Sequence, residues 1–108
     1  MIDPINALLN AESDLMNWIF DASPSNDEER ADMTRALALR DELHSFNNQL
    51  VLKRLEVASL GLADQAAVLE ALTGRIRSES KTIGSATNVI NIASEVVTIA
   101  ASIVSMLV

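Results

Sequence analysis

His44 is the only histidine in the sequence and the side chain best suited to acid–base or metal chemistry. Asp41 precedes it by three residues, a spacing that places a carboxylate and an imidazole on one face of a helix, as at helical metal sites. A di-metal site of that kind needs a second histidine and further inward carboxylates, which one chain does not supply, although a symmetric oligomer would double the count. We therefore interpret His44 as a surface residue and expect no metal site and no cofactor.

Motifs of nucleophilic catalysis and phosphate binding are also missing from the sequence. No serine lies in a Gly-x-Ser-x-Gly turn, and Gly61, Gly74 and Gly84 are too far apart to form a phosphate-binding loop. The absence of cysteine excludes disulfides and cysteine-ligated metals. Carboxylates are adjacent at residues 27–29 and 41–42, and solvation on a helix surface explains both groups. These observations predict that the protein is not an enzyme.

The composition is typical of an all-α protein with an aliphatic core. Apolar residues make up 49% of the 108 residues, whereas aromatic residues make up only 3%. Three glycines and two prolines are too few for the many turns of an all-β fold. Because the length suits one domain, we expect residues 1–108 to form a single helical domain.

Charge changes steadily along the chain, whose net charge is −7. Residues 1–32 carry eight acids and one base, residues 33–82 carry seven bases and six acids, and the last 26 residues carry only Glu95. An acidic balance argues against nucleic-acid binding, which gains most of its affinity from neutralised phosphates. We interpret the acidic N-terminal region as a solvated face.

The first helix is predicted from about residue 4 to residue 20. Asp3 suits its N-cap, and Pro4 suits the first helical position, where the missing N–H of proline is no loss. Apolar residues at three- and four-residue spacing give this helix one hydrophobic face. Trp18 and Phe20 are interpreted as core residues, with contact to a partner as the alternative, because tryptophan is frequent at interaction hot spots.

The second helix is predicted from about residue 26 to residue 60. Ser25 has capping-box spacing to Glu28, and Ser23-Pro24 is an equally good start. Gly61 suits the C-terminal cap, where glycine adopts the left-handed conformation without steric hindrance. A tight turn there would make the second and third helices a long antiparallel hairpin. Three apolar residues lie off the hydrophobic seam of the second helix and add to its exposed surface: Val51, Leu52 and Leu55.

The third helix is predicted from about residue 64 to residue 107 and carries the most regular pattern in the sequence. Apolar residues recur every seven positions, as in a coiled coil. Gly74 and Gly84 each cost about 1 kcal/mol inside a helix, and either could kink it. Because the repeat continues across both glycines, we expect one long helix. The repeating positions are Leu69, Ile76, Ile83, Ile90, Val97 and Val104, and the paired seam includes Leu72 and Leu107.

The lengths of the predicted helices imply surplus apolar surface. At 1.5 Å per residue, the third helix would be about 65 Å long and the second about 50 Å, so the third would extend beyond its neighbours. Residues 99–108 would then lie outside the packed helices and need to be covered by other copies, a partner or a bilayer. The candidate interface residues are Leu69, Leu72, Ile76, Ile83, Ile90, Val97, Ile99, Ile103, Val104, Leu107, Trp18 and Phe20.

The predicted hairpin would also bring four basic residues together at its tip: Lys53, Arg54, Arg75 and Arg77. Surface ion pairs with neighbouring glutamates explain this cluster, and such pairs contribute little to stability. The alternative is that the cluster binds an acidic surface, such as the N-terminal region of a second copy, because opposite charges steer association.

Three functions fit an all-α protein of this kind. The first is non-catalytic assembly, in which the C-terminal helix self-associates into a bundle, ring or filament. The second is membrane activity through residues 82–108, which are long enough to span a bilayer and carry one charge. The third is a chaperone or adaptor for one protein partner. The N-terminus lacks the segments of a cleavable signal peptide, which indicates a cytoplasmic protein or export by a signal-independent route.

Overall fold

A computed structural model describes residues 3–107 of the chain. Five α-helices follow one another, with a short 3-10 turn, Ile83–Ser85, before the last. Within the described range there is no β-strand, and the all-α class expected from the sequence is confirmed. The helices are α1 (Pro4–Asp21), α2 (Asp27–Leu52), α3 (Arg54–Ser59), α4 (Ala63–Ser78) and α5 (Ala86–Met106).

The four longer helices pack side by side, and α3 is a short connection at one end. Helix α1 packs against α2 and α4, and α5 packs against the same two helices from the other side. The side-chain amide of Asn47 donates to the carbonyl of Leu8, and His44 lies beside Glu12, so α1 and α2 are antiparallel.

The expectation of one long helix over residues 64–107 is wrong. Helix α4 ends at Ser78, and Glu79 and Thr82 have extended backbones, with ψ angles of 148° and 154°. Gly74 lies inside α4, whereas Gly84 lies in the 3-10 turn between α4 and α5. Serine and threonine side chains in this segment bond to nearby backbone carbonyls, which competes with the helical pattern, and Ser85 Oγ donates to the carbonyls of residues 80 and 82.

Because the third helix is broken, α5 turns back along the bundle instead of extending beyond it. Ala100 and Ile103 are fully buried, and Ile99, Val104 and Leu107 pack partly against the same core. The prediction that residues 99–108 extend beyond the other helices is therefore wrong for residues 99–107. Val108 lies outside the described residues.

The second helix is also interrupted, seven residues before the predicted end. Helix α2 ends at Leu52, and Lys53 adopts φ −114° and ψ 27° before α3 begins. Gly61 follows with φ +66°, the left-handed conformation expected of a glycine C-terminal cap. The chain thus turns where the sequence predicted, although α3 lies between α2 and the turn.

The start of α2 differs from both predicted caps. Asn26 is the N-cap, and its side chain accepts a hydrogen bond from the backbone N–H of Glu29 at 2.9 Å. The carboxylate of Glu29 in turn accepts from the backbone N–H and the hydroxyl of Ser25, at 2.8 and 2.6 Å. Ser25 therefore supports the helix start from the position before the cap.

Two apolar clusters fill the interior. The larger joins the start of α1 to the end of α5 and includes Leu8 and Ile103, both fully buried. The smaller surrounds Trp18 at the opposite end and includes Ala36, Val89 and Ile90. Since Ala36 of α2 lies with the start of α5, and Leu52 lies near the end of α5, α2 and α5 are parallel neighbours.

Candidate interaction surface

The residues predicted to form an interface fall into three groups in the fold. Six of them are buried in the core of the single chain, five are half-buried, and one is exposed. A buried side chain is already covered by its own chain, so only the other two groups are available to a second molecule. The buried residues are Leu69, Leu72, Ile76, Ile90, Ile103 and Trp18; the half-buried ones are Ile83, Val97, Ile99, Val104 and Leu107; the exposed one is Phe20.

Trp18 and Phe20 have different surroundings, although only one residue separates them. Trp18 is fully buried, which agrees with its interpretation as a core residue, whereas Phe20 is 76% exposed at the end of α1. The interpretation of Phe20 as a core residue is therefore wrong. The reason is helical geometry, because residues two apart point to opposite sides of a helix.

The two most exposed of the large apolar side chains lie at the junction of α2 and α3. Leu52 is 83% exposed and Leu55 is 85% exposed. A groove of about 230 Å³ lies between Leu52 and the end of α5, and Val104 and Leu107 form its other wall. We call this surface the apolar end; its members are Val51, Leu52, Leu55, Val104, Met106 and Leu107, of which Met106 is 50% exposed.

Helical geometry explains why these two leucines point outward. Leu43, Leu50 and Val57 are spaced by seven residues and are all buried, so they mark the inward face of α2 and α3. Leu52 lies two residues after one of them, and Leu55 lies two residues before another. A step of two residues turns about 200° around the helix, which places both leucines on the outward face.

The hydrophobic seam predicted for the second helix leaves out Val51, Leu52 and Leu55. These residues are nevertheless not among the interface residues predicted from the sequence. The signal that would have found them is the spacing from the buried positions of the same helix. The prediction relied instead on the seven-residue repeat of the C-terminal region, whose residues lie in or against the core of the single chain.

Two charged residues border the leucines of the apolar end. Lys53 also lines the groove beside Leu52, and Glu56 follows Leu55. Both are exposed, and neither forms an ion pair with any residue in the range 3–107. Arg54, between them, is bound instead to Asp3, with 3.3 Å between its guanidinium nitrogen and the carboxylate.

The expected cluster of four basic residues at one tip is wrong. Arg75 and Arg77 lie at the far end of α4, a helix of 16 residues that begins after the turn at Gly61. Arg77 lies 2.9 Å from the carboxylate of Asp14 in α1. Asp14 of the acidic N-terminal region thus pairs with Arg77 within one chain, because α1 packs beside α4.

His44 belongs to a polar network between α1 and α2. Its Nδ1 lies 2.8 Å from a carboxylate oxygen of Glu12, and it does not pair with Asp41. The buried amide of Asn47 donates to the other oxygen of Glu12 at 2.8 Å and to the carbonyl of Leu8 at 3.2 Å. The network joins the two helices. Among residues 3–107, no three potential metal ligands lie close enough to share an ion.

Helix α5 and the turn before it form the most apolar segment of the chain. Ile83–Met106 has 24 residues, and its most apolar stretch of 18 residues has a mean hydropathy of 1.8, so length and composition would allow the segment to cross a membrane. In the folded chain, 39% of the most apolar window is buried. The outward face of α5 is polar and includes Asn91, Glu95, Thr98 and Ser102.

Comparisons with protein-family models, curated proteins and solved structures find no match to the chain.

Proposed function

We propose that this chain is a non-catalytic helical interaction protein that self-associates through the apolar end. The observation that carries the proposal is the pair Leu52 and Leu55, each more than four-fifths exposed beside the half-buried end of α5. Isolated exposed leucines are common on protein surfaces, but a contiguous group of them marks an interaction site. The proposal keeps the self-association expected from the sequence and moves the contact from the seam of the C-terminal helix to this end.

The distribution of charge favours a second copy as the occupant of this surface. Two molecules of net charge −7 repel each other over most of their surfaces. Residues 96–107 carry no charge, and Lys53, Arg54 and Glu56 around the leucines include both signs. The apolar end is therefore a place where two copies can meet with little repulsion. Its small size indicates a weak, concentration-dependent contact, because stable interfaces bury about 800 Å² on each partner.

Sedimentation velocity over a concentration series tests the proposal. The mass should rise above the 11.7 kDa of the single chain as concentration increases. The double variant Leu52→Gln/Leu55→Gln should remain monomeric, since glutamine is also a good helix former and both positions are exposed. Phe20→Gln is the control, because Phe20 is 76% exposed at the end of α1, beside the cluster around Trp18 at the opposite end of the molecule. A monomer at every concentration, or a Gln variant that associates like the wild type, would overturn the proposal.

A second candidate function is membrane binding through α5. The observation that favours it is the length and hydropathy of Ile83–Met106. Insertion would require α5 to leave the bundle, and its connection to α4 through residues 79–82 is not helical, so the other helices would not have to be interrupted.

Vesicle flotation tests this second function, with liposomes of neutral lipid and of neutral plus anionic lipid. Thr98→Lys places a charge near the middle of the segment, which costs about 2.5–3.5 kcal/mol in a bilayer. Thr98 is exposed in the folded chain, so the substitution should leave the fold intact, and Thr98→Gln is the neutral control. Equal flotation of both variants, or no flotation of the wild type, would contradict membrane insertion.

A further inference from the structure

We infer that two copies meet at the apolar end about a two-fold axis, with Lys53 of each copy paired with Glu56 of the other. This inference rests on the proposed function and adds to it the arrangement and the residues that specify the partner. It starts from two exposed, oppositely charged side chains that have no ion-pair partner among residues 3–107.

The four side chains at the α2–α3 junction form two rows. Leu52 and Leu55 are three residues apart, and Lys53 and Glu56 each follow one of them. The backbone N–H of Val57 donates to the carbonyl of Lys53 at 2.9 Å, which is the bond of a first helical turn. Lys53 and Glu56 lie within this turn, so their side chains share one face. Leu52 precedes the turn, and both leucines are exposed on the outward side of the junction. A row of two leucines is thus flanked by a row with one positive and one negative charge.

A two-fold axis makes these rows complementary to themselves. In a symmetric dimer the same surface of both copies forms the contact. If the two junctions meet in antiparallel orientation, the beginning of each row faces the end of the other. The leucines then pack on leucines, and the positive side chain of one copy faces the negative side chain of its partner twice. A parallel arrangement would instead place like charges opposite each other.

The other nearby charges do not provide the same contact. Arg54 is engaged by Asp3 of its own chain, and Asp3 is only partly exposed. The segment of α5 that borders the groove has no charged residue. Lys53 and Glu56 are therefore the charged groups whose pairing the second copy would complete.

Charge reversal at these two positions tests the inference. Lys53→Glu and Glu56→Lys would each place like charges at both contacts, and each should weaken self-association about tenfold, since two surface ion pairs are replaced by repulsion. The double variant Lys53→Glu/Glu56→Lys restores both pairs and should associate within about threefold of the wild type. Circular dichroism should show the same helix content in all of them.

A mixture of the two single variants gives a sharper result. Lys53→Glu supplies two acids and Glu56→Lys supplies two bases, so the mixed dimer has both pairs, and it should be favoured over either homodimer about tenfold or more. If the wild type associates but the single reversals do not weaken it, or if neither the double variant nor the mixture recovers the loss, the two-fold pairing is wrong while self-association stands. If the wild type remains monomeric, the proposed function and the pairing both fail.

Discussion

The indole nitrogen of Trp18 donates a hydrogen bond to the hydroxyl of Ser85, 3.0 Å away, across 67 positions of sequence. The same nitrogen lies 2.9 Å from the carbonyl of Ser80, and Ser85 Oγ donates to that carbonyl as well. The end of α1 thus holds the connection between α4 and α5. This connection is where the chain departs from the long helix that its repeat predicts.

Replacing Trp18 with Phe should destabilise the fold by roughly 1–3 kcal/mol, because the buried hydroxyl of Ser85 loses its donor and the carbonyl of Ser80 keeps only the bond from Ser85. Ser85→Ala should cost less, about 1 kcal/mol, since Trp18 still has the carbonyl of Ser80. Urea unfolding followed by far-UV circular dichroism measures both. A Trp18→Phe variant as stable as the wild type would show that the hydrogen bonds do not hold the connection.

Packing of α5 against its own chain can be tested with two residues near its end. Ile103→Ala should destabilise the protein by about 2–5 kcal/mol, because it opens a cavity in the core. Met106→Ala should change stability by less than about 1 kcal/mol, because Met106 is half exposed. Urea unfolding at a concentration where the chain is monomeric separates this effect from association. Equal and small effects of both substitutions would indicate that α5 is not packed as described.

Two glycines should respond to alanine with opposite signs. Gly61→Ala should destabilise the protein by about 1 kcal/mol, because φ is +66° and a β-carbon disfavours that conformation. Gly74→Ala should stabilise it by about 0.5–1 kcal/mol, because Gly74 is inside α4 and an added Cβ would meet no atom within 4 Å. Thermal or urea unfolding gives both values. Effects of the same sign would contradict the turn at Gly61 or the helix through Gly74.

The hydroxyl and the backbone N–H of Ser25 hold the pKa of the Glu29 carboxyl below its ordinary value, because both hydrogen bonds favour the charged form. A carboxylate whose pKa is lower in the folded state stabilises the fold above its unfolded pKa. That contribution disappears as the pH falls through the folded pKa. Ser25→Ala removes the stronger bond, so the pKa of Glu29 should rise toward its ordinary value.

An NMR titration of the Glu29 side-chain carbon in the wild type and in Ser25→Ala measures this shift. Ser23→Ala is the control, because Ser23 has no bond to Glu29 in the structure. An unchanged pKa of Glu29 in Ser25→Ala would mean that the hydroxyl does not bind the carboxylate in solution.

Local rules predicted the elements that depend on neighbouring residues. The first helix begins after Asp3, whose side chain accepts from the backbone N–H of Ile5 at 2.9 Å, and it ends at Asp21, one residue from the prediction. The turn at Gly61 was also predicted, because the left-handed conformation there suits glycine. The start of α2 was missed by one residue, since the amide oxygen of Asn26 and the hydroxyl oxygen of Ser25 can both accept a hydrogen bond from the helix end.

The interaction surface could be predicted only in part. The sequence shows that Leu52 and Leu55 lie off the hydrophobic seam of the second helix. Their place beside an apolar groove depends on the end of α2 at Leu52 and on the return of α5 along the other helices. The ion pairs of Arg54 with Asp3 and of Arg77 with Asp14 could not be derived, because the first requires the start of α1 to lie near α3 and the second requires α1 to lie beside α4.

By itself, the sequence determined that this protein is helical, that its core is aliphatic and where its first helix and its turn lie, because composition, periodicity and capping act over a few residues. Only the tertiary structure decided whether the repeat over residues 69–104 would form one helix or two. A seven-residue spacing gives an apolar side to a helix but does not say what covers it. Hydrogen bonds from Trp18 hold the segment between α4 and α5, where the repeat is broken. Because Trp18 is distant in the sequence, the repeat itself does not show these bonds.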